Sequence, residues 1–532
     1  MRKLRRILKT NDLKSLYSVL CNLSLITKNF TIIHHIYFKM ENFHNYINGM
    51  SMPTSHQLTF ENINPADRDD IIGTFPLSSV EDVNLAVSAA KQAYASWSKM
   101  PAPKRGDILR KAGDIFTRRK DELARIMTRE MGKPVFETLG DIQEAIDTAY
   151  YAATETRRLF GYTAPSEMEN KMNLSFRTPI GVCGIITAWN FPIAVPSWKI
   201  LPALACGNTV VFKPSEDSPH SAQIFAEILE EAGIPKGVFN VIHGDGLAGS
   251  ALVEHPDVKL IGFTGSTFTG KKIAERCGAM NKKCSLEMGG KNAQIVMPDA
   301  NLDLALDGVL WGAFGTTGQR CTATSRLILH TDIYDQFINN LITKATNIKL
   351  GNGLNESTQM GPVINTKQLE KIKGYVKIAR EEGAICVLGG DEEILGECAK
   401  GNFYKPTIFI DVTEDMTIFK EEIFGPVLSV SKARSLEHAI ELANNCEYGL
   451  SSSLFTGNVD AAFRAIRDIE AGITYINAPT IGAEAHMPFG GIKGTGNGHR
   501  EGGWTAFEIF TEWKTVYVDY SGSLQRAQID NY

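Results

Sequence analysis

Short apolar runs that stop at glycine or proline, separated by amphipathic stretches, constrain this chain more than any other feature. GVCGIITAW, NTVVFKP, GVFNVIHG and VKLIGFTG have the length and composition of buried strands, and SAQIFAEILEEAG and SALVEHPD lie between them as helices. Strand and helix in alternation predict a parallel sheet with helices on its faces, of the Rossmann kind. After Gly289 the rhythm returns in NAQIVM, SRLILH, the helix IYDQFINNLITKAT, AICVLGG, FYKPTIFIDV, VLSVSKA and the helix SLEHAIELANNCEYG, so a second α/β lobe follows the first. Ahead of both, VEDVNLAVSAAKQAYASWSKM opens an alanine-rich, glycine-poor stretch to about Tyr151 with apolar residues at helical spacing. Near the end, TEWKTVYVDY alternates β-branched and aromatic residues and reads as a strand that either completes a sheet or pairs with another subunit.

At 532 residues, and roughly 150 residues per domain, the chain has room for two to four domains or lobes. A hydrophobic content of 43% and a charged content of 22% are those of a globular protein. A net charge of -5, with no basic stripe through the body, sets aside nucleic acid and an anionic membrane as main partners and allows a small neutral or acidic one. The nine cysteines are scattered, with no C-x-x-C pair and no histidines at metal-binding spacing. That pattern predicts no metal site and reduced thiols in a cytosol-like compartment, hence a cytoplasmic location. Residues 1–39 differ in kind: Arg2, Lys3, Arg5, Arg6, Lys9, Lys14, Lys28 and Lys39 stand against the single acid Asp12. They read as a basic, dispensable extension with the functional start near Met40. The alternative is a mitochondrial-type presequence and a matrix location; no apolar run there reaches the ~18 residues of a membrane span.

Three glycine-framed or turn-framed segments carry residues able to do chemistry. In FGTTGQRCTATSR, Cys321 follows Gly315, Gly318 and Arg320, small neighbours that leave a thiol uncovered, and a guanidinium or helix N-terminus nearby would favour its thiolate. In LEMGGKN, Glu287 leads into Gly289 and Gly290; a carboxylate in that apolar setting is either a general base with a raised pKa or a structural cap. In AWNFP, Asn190 lies at the end of a predicted strand, where an amide can donate to an oxyanion, although asparagine before a turn is also common for conformational reasons. Taken singly, each has a bland reading, and for a cysteine that reading is a small buried apolar side chain.

Together they fall into a known pattern. PIGVCGIITAWNFP, GNTVVFKPSEDSP, GFTGST, LEMGGKN, FGTTGQRCTA, EEIFGPV and MPFGGIKGTGNGHRE stand in order over ~450 residues, from about Asn62 to Asp519, and the chain resembles the aldehyde dehydrogenase superfamily. The resemblance implies NAD(P)-dependent oxidation of an aldehyde to the carboxylic acid through a thiohemiacetal and a thioester on Cys321. Glu287 is then the general base that activates water, and the Asn190 side chain with the backbone N–H of Cys321 forms the oxyanion hole. Transfer of the acyl group to coenzyme A is the competing chemistry, against which Glu287 speaks. A non-catalytic structural role, as in lens proteins of the family, is the competing class, and the intact Cys321, Glu287 and Asn190 speak against that.

For the cofactor, GDGLAG spells G-x-G-x-x-G from Gly244 to Gly249, yet the resemblance places the pyrophosphate at the helix opened by GSTFTG, with Gly265, Ser266, Thr267 and Gly270, and leaves Gly246 toward the adenine end. Ile186 and Trp189 are carried over as further dinucleotide contacts. Lys213 and Glu216 match the ribose contacts; a carboxylate there accepts from a 2′-OH and repels a 2′-phosphate, so NAD is favoured, with NADP allowed by Lys213. Glu422 and Phe424 match the residues that hold the nicotinamide ribose and ring. The resemblance suggests Phe191, Val195, Trp198, Thr322 and the stretch Thr480 to Glu484 as the wall of the aldehyde pocket. NAPTIGAE followed by MPFGGIKGTGNGHRE is similar to branches that oxidise semialdehydes, such as α-aminoadipic and α-ketoglutaric semialdehyde, and SEDSP after KP departs from the α-aminoadipic branch. The implied architecture is a Rossmann-type cofactor lobe over residues 40–154 and 179–287, and an α/β catalytic lobe over 288–504. Oligomerisation or bridging segments, a small hairpin and the terminal strand, follow at 155–178 and 505–532. The resemblance also implies a homodimer or homotetramer, and favours an intersubunit role for TEWKTVYVDY.

Overall fold

Runs of fully apolar residues can form strands only where both faces are covered, and the residues Thr209–Lys213 are buried at every position. A computed structural model of the protein describes residues 41–529. Contacts separate residues up to Asn42 from a unit running from Phe43 onward. Of the first, Glu41–Asn42 are described, as an extended pair, and the basic extension expected over residues 1–39 lies outside the described residues.

Within the unit from Phe43, the four strands read from the sequence are present as Val182–Ile186, Thr209–Lys213, Phe239–Val241 and Val258–Thr264, and a fifth parallel strand, Lys283–Glu287, follows them. Numbered along the chain their spatial order is 3-2-1-4-5, the Rossmann order. An antiparallel hairpin, Asn45–Ile47 and Met50–Met52, extends the edge beside Phe239–Val241 to make seven strands. The helices Pro219–Ala232, Gly246–Glu254 and Thr267–Ala279 connect the parallel strands. The expected helical layer is present as Val80–Trp97, Ala102–Arg118, Lys120–Met131 and Val135–Glu155. Its first helix starts where Ser79 accepts from the Asp82 N–H while the Asp82 carboxylate accepts from the Ser79 N–H at 2.8 Å, a reciprocal cap.

A second seven-stranded sheet is built from Asn292–Val296, Thr324–His330, Ile385–Leu388, Thr407–Ile410, Val427–Ala433, Ser451–Phe455 and Ile473–Ile476. All but the edge strand Ile385–Leu388 are parallel. The chain passes from the carboxyl end of the last parallel strand of the first sheet, at Glu287, to the amino end of the second sheet, at Asn292, through Met288, Gly289, Gly290 and Lys291. The carboxyl edge of one sheet is therefore joined by a short crossing to the amino edge of the other, and every reactive segment singled out above lies at that junction.

TEWKTVYVDY is the strand Thr511–Asp519, paired antiparallel along its whole length with Lys171–Pro179, which in turn pairs with Tyr162–Pro165. The strand thus joins the chain's own hairpin through nine consecutive residue pairs along one edge, and among the described residues no strand lies along its other edge. Among the described residues no helix is long and apolar enough to cross a membrane.

Candidate active site

Glu287 ends a strand whose last three residues are buried, and a second segment wraps over it. The Met288 N–H donates to the Thr495 carbonyl at 2.6 Å, the Leu286 N–H donates to Asn497 Oδ1 at 3.0 Å, and Glu287 itself bridges Gly496. A side chain on Gly490 would run into Glu287 Oε1, and this glycine has φ 144°, so the MPFGGIKG segment needs its glycine to close over the carboxylate. Neither oxygen of Glu287 has a hydrogen-bond partner among the described residues. Burial pushes its carboxyl up to about 8, against the pull of Lys199 and Arg500.

Gly289 and Gly290 are small for a reason that concerns the protein itself. A side chain on Gly289 would strike the Glu422 carboxylate, and one on Gly290 would strike the Cys321 carbonyl. Glu422 Oε1 accepts from the Gly290 N–H at 2.9 Å, and burial raises the Glu422 carboxyl. The crossing between the sheets thereby brings Glu422 and the Cys321 loop to the same place.

Cys321 lies three residues before the first residue of the strand Thr324–His330. Asn292 Nδ2 donates to the Cys321 carbonyl at 2.7 Å and Thr480 Oγ1 to the Thr322 carbonyl at 2.7 Å, pinning the residue from two sides. Upstream, Thr316 and Thr317 take positive φ values of 53° and 58°, unusual for a β-branched residue. Glu137 holds them there: Thr316 N–H donates to its carboxylate at 3.0 Å, Thr316 Oγ1 donates to it as well, and Arg320 pairs with it at 2.8 Å. Thr317 Oγ1 donates to the Gly361 carbonyl at 2.9 Å. Backbone strain of this kind persists where the surroundings over-determine it. The Arg320 guanidinium is thus committed to Glu137 and to the faces of Trp311 and Phe191, and does not serve the thiol as a counter-ion. Burial pushes the Cys321 thiol up to about 12, with the Glu422 and Glu287 carboxylates adding to the rise.

The strand Val182–Ile186 stops four residues short of Asn190, which sits in the turn before the helix Ala194–Cys206. Asn190 is buried, its Nδ2 donates to the Gln319 carbonyl at 3.1 Å, and its amide therefore faces the cysteine loop. Lys133 Nζ donates to the Asn190 carbonyl at 3.0 Å and pairs with Asp141 at 2.7 Å, while Asp141 also accepts from the Ala194 N–H at 2.7 Å. Asp141 and Glu137 were invisible in the sequence because they sit among the polar residues of an amphipathic helix, and Lys133 because it sits in the short loop before that helix. Lys199 had a signal: it is the single charge in the helix AVPSWKILPALAC. It is buried against Glu501, and burial moves its amine down to about 7.

An apolar cluster of Trp198, Leu450 and Phe489 packs against Cys321, Ile473 and Ala483, with the Trp198 and Phe489 rings 4.8 Å apart. Of the expected wall, Trp198 is in this cluster, Thr322 is the buried neighbour of Cys321, Val195 is buried in the helix that carries Trp198, and Phe191 lies beneath Lys133 and Arg320.

At the carboxyl edge of the first sheet a cleft of about 600 Å³ opens between the helices Gly246–Glu254 and Thr267–Ala279, lined among others by Ile186, Lys213, Glu216, Gly246 and Thr269. Its size is that of a cofactor cavity. A side chain on Gly246 would meet nothing, so the backbone is open to the cleft there, and Lys213 Nζ lies 3.3 Å from Glu216 on its wall. Ser266 caps the second helix by accepting from the Thr269 N–H at 3.2 Å, and Thr267 Oγ1 accepts from the Gly289 N–H at 3.4 Å, so Gly265, Ser266 and Thr267 lie between the cleft and the crossing. Gly270 faces inward against Met288 and Phe263 and serves helix-on-strand packing. Trp189 and Phe424 meet edge to face at 5.4 Å, and Phe424 has φ 60°, held by Gln368 donating to its carbonyl at 2.8 Å. The donors and the space fit a dinucleotide. Among the described residues no group of three or more His, Cys, Asp and Glu side chains is arranged to hold a metal ion.

Residues 52–516 match the aldehyde dehydrogenase family. The chain is 41% identical over 475 residues to the α-ketoglutaric semialdehyde dehydrogenase of Bacillus subtilis, covering 89% of this chain and 97% of that one. It is 40% identical over 459 residues to the 2,5-dioxopentanoate dehydrogenase of Saccharolobus solfataricus, covering 86% of this chain and 95% of that one. The solved structure of an NAD-dependent aldehyde dehydrogenase from Sinorhizobium meliloti superposes with a TM-score of 0.88 at 37% identity, covering 91% of this chain and 96% of that one.

Proposed function

The chain belongs to the aldehyde dehydrogenase family, an enzyme that oxidises an aldehyde to the carboxylic acid with a nicotinamide dinucleotide, and from that premise we propose that Cys321, Glu287 and Asn190 perform the reaction. The observation that carries this is a buried carboxylate, Glu287, without a hydrogen-bond partner among the described residues and with a charge that reaches the Cys321 thiol. A thiol near 12 is neutral at pH 7, so it passes its proton to a water molecule as its sulfur attacks the aldehyde carbon. The new C–S bond leaves an oxyanion on the former carbonyl oxygen, to which Asn190 Nδ2 and the Cys321 N–H donate. When bound, the dinucleotide accepts hydride from the resulting thiohemiacetal, leaving a thioester on Cys321. Glu287, with its carboxyl near 8, then takes a proton from water as the water oxygen adds to the thioester carbon. The C–S bond breaks, the acid leaves and the thiol is restored. Lys199 and Arg500 bias Glu287 toward its charged form and so keep a fraction of it ready as a base.

Dinucleotide binding falls to Lys213 and Glu216 at a ribose, to the helix N-terminus at Gly265, Ser266 and Thr267 for the pyrophosphate, and to Gly246 and Ile186 along the cleft. Glu422, Phe424 and Trp189 would flank the nicotinamide end. The exposed Glu216 carboxylate at the rim favours NAD over NADP. The first sheet with its helical layer is accordingly the cofactor lobe and the second sheet the catalytic lobe. The exposed aromatics Tyr162, Trp513 and Tyr517 on the hairpin sheet support a homo-oligomer, and the free thiols support a cytoplasmic location.

The two curated relatives carry names for one compound, the semialdehyde of α-ketoglutarate. We take that semialdehyde as the substrate. Trp198, Phe489 and Leu450 would cover its methylene chain while the aldehyde carbon sits over Cys321. A panel of aldehydes assayed separately with NAD and NADP tests both choices, the expected maximum of kcat/KM being α-ketoglutaric semialdehyde with NAD. A maximum with betaine aldehyde or α-aminoadipic semialdehyde would overturn the substrate, and a maximum with NADP the cofactor preference. Gel filtration at the mass of a single chain would overturn the oligomer.

A further inference from the structure

Two thiols outside the reaction lie against each other at the back of the proposed cofactor site. Cys277 is in the last turns of the helix Thr267–Ala279, and Cys284 is the second residue of the strand Lys283–Glu287. The chain between them turns tightly, the Lys282 N–H donating to the Cys277 carbonyl at 2.9 Å. Cys277 belongs to an apolar cluster against which Cys284 packs, and each thiol moves the titration of the other, Cys277 upward and Cys284 downward. Cys277 is buried, whereas Cys284 is partly exposed and is reached by Asn497 Nδ2 at 3.5 Å.

We propose that Cys277 and Cys284 form a reversible disulfide by exchange with a low-molecular-weight disulfide, and that this bond loosens the grip of the helix Thr267–Ala279 on the dinucleotide. The chemistry runs in two displacements. Cys284 loses its proton to solvent and its sulfur attacks the small disulfide, breaking that S–S bond and releasing one small thiol. Cys277 then loses its proton and attacks the mixed disulfide at Cys284, releasing the second small thiol. Two protein thiols are oxidised to one disulfide and one small disulfide is reduced to two thiols. Cys284 suits the first step because it is partly open and because Cys277 and Asn497 lower its pKa. Cys277 suits the second, being enclosed and in the cluster against which Cys284 packs.

Bond formation draws the end of the helix toward the strand, and the helix has little slack to absorb that. Gly270, near its other end, is packed directly against the Met288 side chain and the Phe263 ring. The displacement is therefore carried to Gly265, Ser266 and Thr267, at the helix start. The effect on affinity rests on the proposed dinucleotide site; the disulfide itself does not.

The test uses the full chain in a Cys321→Ser background, which removes the reactive thiol that would compete for oxidant. After treatment with oxidised glutathione, proteolysis and mass spectrometry should find the peptides holding Cys277 and Cys284 linked with the loss of two hydrogens. The Kd for NAD, read from tryptophan fluorescence, should weaken about fivefold and return with dithiothreitol. A Cys277→Ser partner variant should show neither change. A reaction that stops as a glutathione adduct on Cys284, or no linkage at all, would overturn the disulfide, and a linkage that leaves the NAD Kd unmoved would overturn the switch. If Gly246→Trp, which fills the cleft, leaves NAD binding to the reduced protein unaltered, the dinucleotide site fails and the switch with it, while the disulfide stands.

Discussion

The two sheets share an architecture and present opposite edges. In the first, every functional segment leaves the carboxyl end of a strand, at Ile186, Lys213, Thr264 and Glu287, where open α/β sheets ordinarily bind ligands. In the second, the functional residues precede the strands: Lys291 and Asn292 open one, Cys321 leads into another, and Glu422 and Phe424 lead into a third. The first edge is roomy, with a cleft of about 600 Å³ and a helix N-terminus capped by its own serine. The second is tight, with Thr316, Thr317 and Phe424 in left-handed conformations held by Glu137 and Gln368. On the proposed function, one lobe would bind by leaving space and the other would position by spending backbone strain. The difference predicts that changes in the second sheet's loops strike turnover and changes in the first strike affinity.

The largest effect expected is for Cys321→Ala, which should abolish aldehyde-dependent NADH formation, a loss of at least ~10⁴, while the NAD Kd stays as in the wild type. Measurable oxidation in that variant would remove the cysteine from the mechanism. Next, Glu287→Gln should cost about 10²–10³ in steady turnover and leave a single burst of NADH, since the first half of the reaction does not need water. Because the Glu287 carboxyl sits near 8, the wild-type deacylation rate should climb as pH rises through that value, and the variant should lose the climb. Above pH 8, where Glu287 is charged, the same substitution removes a negative charge that holds the Cys321 pKa up, so iodoacetamide should alkylate Cys321 faster in the variant at about pH 9. Slower alkylation would instead make Glu287 the base for the thiol.

How much of this was legible in the sequence differs between the lobes for the same physical reason. Strand and helix alternation follows from local pattern, and most parallel strands fall on the apolar runs that predicted them, whereas Lys283–Glu287, Ser451–Phe455 and Ile473–Ile476 are short or polar enough to have given no such run. The pairing of LEMGGKN with FGTTGQRC also left a trace, since Gly289 and Gly290 are needed where Glu422 and the Cys321 loop close in. The supports of the cysteine loop left none. Glu137 in KPVFETLGDIQEA has the spacing of a solvated helix face, and only the tertiary contact with Thr316 and Arg320 makes it a buried anchor. Arg320 read as a possible partner for the thiol because sequence proximity carries no direction; the fold turns it toward Glu137. TEWKTVYVDY was a strand by pattern, but pattern does not say which strand lies beside it.

Glu137→Gln probes that hidden support. The amide keeps the shape and can still accept from Thr316, but it leaves the Arg320 guanidinium, 12% exposed, without its counter-charge, at a cost of about 2 kcal/mol. Thermal denaturation should show the loss, and kcat should fall about tenfold because the cysteine loop is no longer held in one geometry. NAD affinity should not move, and a change in it would show that the two edges are coupled more tightly than the comparison allows.

The smallest effect expected sits on the roomy side. Glu216 is an exposed carboxylate at the rim of the cleft, 3.3 Å from Lys213, with no strained backbone depending on it. In Glu216→Gln the amide can still accept from a ribose hydroxyl, so NAD should lose at most a few-fold in KM. A 2′-phosphate, however, would no longer meet a negative charge and would keep Lys213 as a partner, so the KM for NADP should improve by up to about tenfold. Both changes should appear in KM with kcat constant, since nothing at Glu216 touches the crossing where Glu287 and Cys321 meet. A fall in kcat from this rim position would mean that the dinucleotide's far end sets the geometry at the thiol, and that space and strain are not divided between the lobes as their edges suggest.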